Sequence, residues 1–231
     1  MNSATSSAVE KNSPLPKLRK GGSCTILIPA YNEAATIGSV VRTCLQAKLG
    51  PVLVVDDGSS DETAAYSRQA GADVLSLATN IGKGGAVVTG AQASDAAVLL
   101  LVDADLTGLT PDHLHALALP VLSDTADMTR GVFVGGRWRT TAAQRLIPQL
   151  NGQRAIRRDL LLSVLGLRDS RYGIEVAITN WARAQRWRTQ DIPLSGVSQV
   201  MKEEKRGLIR GFLTRLRMYR DILGVLVRNR Q

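Results

Sequence analysis

Short apolar runs alternate with amphipathic stretches through the first hundred residues. Thr25–Pro29, Val52–Val55, Asp73–Leu77 and Ala97–Val102 read as strands, and the near-continuous apolar runs suit strands covered on both faces. Helical patterns fill residues 33–47, 60–70 and 84–95 between them. Ser59 and Glu62 have the spacing of a capping box, and Gly71 follows the second helix where a C′ glycine belongs. A β-α-β-α order of this kind predicts parallel strands joined by right-handed crossovers. Met128–Val134 reads as a further strand, and beyond it the pattern turns mainly helical and Arg-rich. The expectation is one α/β domain with a mainly parallel central sheet flanked by helices, over residues 23–200.

The two ends read differently. Residues 1–22 are rich in Ser, Asn, Pro and Lys and lack the apolar stretch of a signal peptide, so a disordered tail is expected. Residues 201–231 read as a basic amphipathic helix. Leu208, Phe212, Leu216, Tyr219, Leu223 and Leu226 form its stripe, with Arg210, Arg217 and Arg228 elsewhere around the turn. Three uses of that stripe stay open: packing on the domain, forming a homodimer, or resting on an anionic membrane surface.

Composition narrows the class. A chain of 231 residues can bury one substantial core, and no run approaches the roughly 20 apolar residues of a spanning helix. Cys24 and Cys44 lack metal-site spacing, which points to free buried thiols in a reducing cytosol. The expected location is therefore cytoplasmic, or peripheral on the inner face of a membrane. Net charge is +9, yet residues 23–127 hold four Lys/Arg against twelve Asp/Glu, while residues 128–199 hold twelve against four. An acidic half followed by an Arg-rich half suits anionic ligands bound between them. Specific nucleic-acid binding is not expected, because the sequence lacks a helix-turn-helix, a zinc-finger pattern or interleaved aromatics.

The predicted strand ends carry the candidate chemistry. They lead into Pro29-Ala30-Tyr31-Asn32-Glu33, Asp56-Asp57-Gly58-Ser59-Ser60-Asp61, Asn80-Ile81-Gly82-Lys83-Gly84-Gly85 and Asp103-Ala104-Asp105. Ligands of open α/β sheets bind at the carboxyl ends of strands. Closely spaced carboxylates there suit a hard divalent cation. Asp56 can accept hydrogen bonds from a base or ribose, and Lys83 can meet a phosphate where glycines allow close backbone approach. No G-x-x-x-x-G-K-[ST] loop occurs, and no G-x-G-x-x-G follows the first strand.

In order and spacing, P-A-Y-N-E, V-V-D-D-G-S-S-D, N-I-G-K-G-G-A and D-A-D resemble the family 2 glycosyltransferases with the GT-A fold. The likeness is strongest to the compact dolichyl- and polyprenyl-phosphate sugar transferases. It implies a nucleotide-diphospho-sugar transferase fold and transfer of a sugar from a UDP- or GDP-sugar, with inversion, to an acceptor such as a lipid phosphate. It implies a Mg²⁺ or Mn²⁺ ion held by Asp105 and approached by Asp103, with Gln199 where relatives often carry a histidine. Pro29, Ala30, Tyr31, Glu33, Asp56, Lys83, Asp103, Ala104 and Lys202 would line the donor site. Gly135-Gly136-Arg137, Asn151-Gly152-Gln153-Arg154-Ala155 and Tyr172-Gly173-Ile174-Glu175 resemble acceptor-side segments. Arg137 and Arg154 are accordingly the candidates for gripping phosphate, and Glu175 for positioning an acceptor hydroxyl or serving as base. Two other readings remain: a non-catalytic nucleotide-sugar-binding scaffold, and a sugar-1-phosphate nucleotidyltransferase. The latter predicts a G-x-G-x-R loop where this chain has P-A-Y-N-E.

Overall fold

The computed structural model describes residues 23–134, 152–170 and 173–199. Its elements run β1 (Cys24–Ala30), α1 (Ile37–Gln46), β2 (Val52–Asp56), α2 (Thr63–Gln69), β3 (Asp73–Ser76), α3 (Lys83–Ala93) and β4 (Val98–Leu101). There follow β5 (Leu106–Thr107), α4 (Pro111–Leu122), β6 (Met128–Val134), β7 (Arg154–Arg157) and α5 (Arg158–Leu162). The series ends with α6 (Ile174–Ala184), β8 (Thr189–Ser195) and β9 (Ser198–Gln199).

Seven strands form one sheet in the order β3-β2-β1-β4-β7-β6-β8. The first four are parallel, as the alternating pattern predicts. β7 then runs antiparallel to both β4 and β6, and β8 lies parallel to β6 at the edge. Two of the three described strands after Val134, β7 and β8, join this sheet and depart from the mainly helical expectation for that half. R-A-I-R is too short and too charged to signal a strand. T-Q-D-I-P-L-S carries a proline that only an edge position tolerates.

Alternation along the strands divides the core into two layers. Ile26, Ile28, Val52, Val54 and Leu100 face α1 and α4, meeting Val40, Val41, Leu114 and Leu117. Leu27, Leu53, Val55, Leu99 and Leu101 face the opposite way, onto Ala86 and Val87 of α3 and Ile174 and Ile178 of α6. Each fully buried Leu or Ile contributes roughly 1.5–3 kcal/mol, so this two-sided burial drives the sheet's assembly. Among the described residues no helix is long and apolar enough to cross a membrane. The predicted tail (1–22) and C-terminal helix (201–231) lie outside the described residues.

Helix ends differ from the sequence reading in informative ways. α1 begins at Ile37 rather than residue 33, because Glu33 through Thr36 form a turn in which Glu33 O accepts from Thr36 N and Ile37 N. The Ser59–Glu62 capping box does not form. Glu62 caps α2 without a side-chain bond, and the Ser59 hydroxyl is instead used by Asn32 N at 2.9 Å. Gly71 does follow α2 with φ +104, as a C′ glycine should. A capping box appears where none was foreseen, between Thr110 and His113 at the start of α4. His113, the third residue of α4, completes that box by accepting from Thr110 N through Nδ1.

Hydrogen bonds lace the loops at the strand ends together. Asn32 Oδ1 accepts from Ser60 N at 2.9 Å, Thr63 Oγ1 from Glu33 N at 2.8 Å, and Asp61 Oδ2 from Ala34 N at 3.2 Å. Asp57 ties in the next loop: its Oδ1 accepts from Ile81 N at 2.8 Å and its Oδ2 from Gly82 N at 2.9 Å. That carboxylate is 3 % exposed, and the loop it holds leads directly into Lys83. Asn at this position would set an amide N–H against one of the two backbone donors. Asp57→Asn should therefore cost about 2–3 kcal/mol in urea unfolding, whereas a change under about 0.5 kcal/mol would show that the carboxylate does not hold the loop.

Both cysteines are free and fully buried, as their spacing suggested. Burial pushes each thiol up to about 12. The native protein at pH 8 should accordingly leave a chromogenic disulfide reagent unreacted until denaturant is added. Because the folded-state values are raised, the thiols' contribution to stability holds below pH 9 and is lost as pH climbs toward 12. Rapid reaction of either thiol in native buffer would contradict this packing.

Candidate active site

The carboxyl end of β4 is the centre of the site. Asp103 follows the strand by two residues and is 8 % exposed. Its Oδ1 accepts from Lys83 Nζ at 2.7 Å. Its Oδ2 accepts from two amides, Gln153 Nε2 and Gln199 Nε2, each at 2.8 Å. Lys83 is the first residue of α3 and also donates to Glu175 Oε1. Glu175 lies in the first turn of α6 and is likewise 8 % exposed.

The antiparallel register explains how residues so far apart in sequence meet. Leu101 pairs with Arg154, so two residues further out Asp103 faces Gly152. A Cβ at position 152 would lie 2.5 Å from each Asp103 carboxylate oxygen, closer than real Cβ atoms come. Glycine there is a requirement of close approach. On the other side β9 pairs with β5, with Gln199 opposite Leu106, and this short ribbon holds the Gln199 amide against Asp103.

Arg154 sits behind the cluster with no exposure at all. Its Nη1 donates to the Glu175 carbonyl at 3.3 Å and to Thr179 Oγ1 at 3.5 Å. Its guanidinium is therefore built into the protein beneath α6, not displayed on the phosphate-gripping surface that the sequence suggested. Burial pulls its pKa down to about 10, opposed by the attraction of Glu175 and Asp103, and it stays charged at neutral pH. For Lys83, burial also pulls down. The charges and hydrogen bonds of Asp103 and Glu175 outweigh that, and the ammonium is held well above the usual lysine range. Two carboxylates thus face two cations, one of them fixed and one on a flexible stem.

The remaining predicted residues are distributed around this centre. Pro29, Lys83, Asp103, Gly152, Arg154 and Glu175 line one small cleft. Ala30 pairs with Asp56 across β1 and β2, and Asp56 Oδ1 accepts from Ser59 N at 3.2 Å. Glu33 and Ala104 are buried, while Tyr31 is exposed. Asp105 is half-buried, immediately before β5. Arg137 and Lys202 lie outside the described residues, as do Asn151 and Tyr172. Sequence reasoning missed the parts played by Gln153, Gly152 and Asp57. The first two sit in the N-G-Q-R-A segment, whose resemblance is to an acceptor-side turn, where a strand reading would have set them against Asp103.

Among the described residues no three His, Cys, Asp or Glu side chains cluster to form a metal site. The ligands expected from the sequence are all oxygen donors, the carboxylates of Asp103 and Asp105 and the amide oxygen of Gln199, although Gln199 here turns its amide N–H to Asp103. That set is hard, and it fits Mg²⁺ or Mn²⁺ better than a thiophilic metal.

Known proteins resemble this chain in sequence and in fold. Residues 25–168 match the model of glycosyl transferase family 2. The glucosyl-3-phosphoglycerate synthase of Mycolicibacterium smegmatis is 29 % identical over 199 residues, covering 71 % of this chain and 65 % of that protein. The dolichyl-phosphate beta-glucosyltransferase of Drosophila melanogaster is 38 % identical over 106 residues, covering 38 % of this chain and 32 % of that protein. The chain thus spans less than two thirds of the length of these curated relatives. The crystal structure of glucosyl-3-phosphoglycerate synthase from Mycobacterium tuberculosis, in complex with Mn²⁺, UDP and glucosyl-3-phosphoglycerate, superposes with a TM-score of 0.71. That match covers 90 % of this chain and 79 % of the other at 22 % identity, and it establishes the shared fold. The fold is the GT-A type that the strand-end motifs implied, and the chain belongs to glycosyl transferase family 2.

Proposed function

We propose that this protein is a metal-dependent glycosyltransferase that moves a sugar from a UDP-sugar to the hydroxyl of a small phosphorylated acid. UDP-glucose and 3-phosphoglycerate are the leading pair. The observation that carries the reading is the Asp103–Lys83–Glu175 cluster at the strand ends of a family 2 chain. The acceptor is chosen from the synthase match, which runs over 71 % of this chain, against 38 % for the dolichyl-phosphate enzyme.

The reaction breaks the bond between the anomeric carbon and the diphosphate and forms one to the acceptor oxygen. Negative charge grows on the departing diphosphate, and Lys83 is the cation nearest to hand. Asp103, Asp105 and Gln199 would hold the divalent ion, which when bound supplies further charge neutralisation. Asp56, Tyr31 and Glu33 stand where the strand-end loops would receive the nucleoside, with Lys202 as a further cation for the diphosphate. Glu175 is placed to take the acceptor proton once Lys83 turns to phosphate, and Arg154 fixes its backbone from below. Arg137 joins as a phosphate contact on the acceptor. Positioning supplies much of the remaining rate.

A second acceptor class, a polyprenyl or dolichyl phosphate at the inner face of a membrane, is favoured by the Drosophila match and by the basic amphipathic pattern of residues 207–231. A lipid phosphate is already anionic and needs no base. Purified protein with Mn²⁺ and labelled UDP-glucose or GDP-glucose should be given 3-phosphoglycerate in one arm and polyprenyl phosphate in anionic vesicles in the other. A water-soluble labelled phosphate ester from UDP-glucose is the expected product, with the anomeric coupling in its proton NMR spectrum reporting inversion or retention. Label in the lipid phase would select the second acceptor. Donor binding without turnover on either would leave the scaffold reading ahead.

Gly152→Ala tests the site independently of the acceptor. The added methyl must push the Asp103 carboxylate aside, and a displacement of that size costs on the order of a hundredfold in kcat. Activity within about threefold of wild type would show that Asp103 need not stay where β4 and β7 put it.

A further inference from the structure

The Asp103 carboxylate is surrounded by donors: the Lys83 ammonium at 2.7 Å from Oδ1, and the amides of Gln153 and Gln199 at 2.8 Å from Oδ2. Lys83 also bonds Glu175, so its ammonium occupies the place from which one cation serves both carboxylates. A divalent ion on Asp103 would meet that ammonium as a like charge at close range, where protein walls screen weakly. The two positive groups compete for the same anion.

Lys83 is more open to solvent than the groups around it. The Lys83 side chain keeps 30 % of its exposure, against 11 % for each carboxylate side chain it bridges. Arg154, the other cation of the group, is fully buried and tied to α6. When Lys83 swings out, two carboxylates are left facing one fixed guanidinium. The net negative charge that results attracts a cation that the closed arrangement repels.

We propose that Lys83 is an exchangeable internal counter-ion. In the nucleotide-free protein it holds Asp103, one of the ligands named above, closed to divalent metal. The diphosphate of the donor draws its ammonium away, so that metal and nucleotide enter together. This inference rests on the metal-dependent reading above and adds a rule for how the site is loaded.

The test needs no turnover. Mn²⁺ binding is followed by loss of the free-ion paramagnetic resonance signal, with and without UDP, and UDP binding is followed by calorimetry with and without Mn²⁺. Wild type should bind Mn²⁺ at least about tenfold more tightly when UDP is present, and UDP should gain the same factor from Mn²⁺, since linkage is reciprocal. Lys83→Gln should bind Mn²⁺ alone at least about tenfold more tightly than wild type does, and much of the coupling to UDP should vanish. Lys83→Arg, which keeps the charge, should resemble wild type. Wild type that binds Mn²⁺ equally well with and without UDP would overturn the proposal, and this arm stands even if the glutamine variant fails to fold. Lys83→Gln that folds but gains no affinity for Mn²⁺ alone would overturn it too. Wild type that takes up UDP but no Mn²⁺ in any condition would instead remove the metal-dependent reading beneath it.

Discussion

Bringing two carboxylates out of water is costly, and the structure meets that cost at one point. Asp103 and Glu175 are each 8 % exposed, in contact with a shared ammonium and backed by a buried guanidinium. Buried charges persist when they are paired and their remaining lone pairs are satisfied. Here the partners come from the start of α3, the end of β4, the first residue of β7, the first turn of α6 and the β9 ribbon. Each of these elements is held in the fold by its own apolar face. Their polar ends are held to each other by charge and by the Gln153 and Gln199 amides, and removing any charged member would leave an opposite charge uncompensated in the protein.

The sheet makes that convergence possible. Parallel strands β1, β2, β3 and β4 set their polar loops along one edge, where Asp57 and Asn32 bind neighbouring loops through backbone N–H groups. A purely parallel sheet would end there. The antiparallel β7 instead delivers residues 152–154 to the same edge from the opposite direction. One side of Asp103 is thereby lined by the parallel half and the other by a strand that arrives from the Arg-rich half.

What was legible in the sequence follows the same division. Strands β1, β2 and β4 could be read because Leu27, Leu53, Leu99 and their neighbours are apolar for the reason that both faces are covered. Asp103 could be read because it breaks such a run. β7 could not, since a strand beginning with arginine gives no hydropathy signal, and the burial of Arg154 depends on Glu175 and Thr179, more than twenty residues away. Asp57 was visible as part of a motif, but its task was not, because the donors it serves are main-chain groups that no side-chain pattern announces. The Ser59–Glu62 box failed for a related reason. Local spacing offers a cap, and a tertiary partner, Asn32, takes the hydroxyl first.

The charge division of the chain gains a structural meaning from this arrangement. Residues 23–127 carry an excess of acid and residues 128–199 an equal excess of base. In the sheet the two halves meet along the β4–β7 seam, with Leu101 paired to Arg154. Asp103 and Arg154 are therefore charges from opposite halves, within electrostatic reach of each other at the line where the halves join. An anionic donor that reached this seam would meet carboxylates on the β4 side, with the Arg154 charge buried behind them, and a metal ion would let those carboxylates bind an anion. Lys83 is the exception, a cation rooted in the acidic half. A single lysine at that position can neutralise the acidic side while the site is empty and serve the phosphate side when the donor is present, which a cation fixed in the basic half could not do.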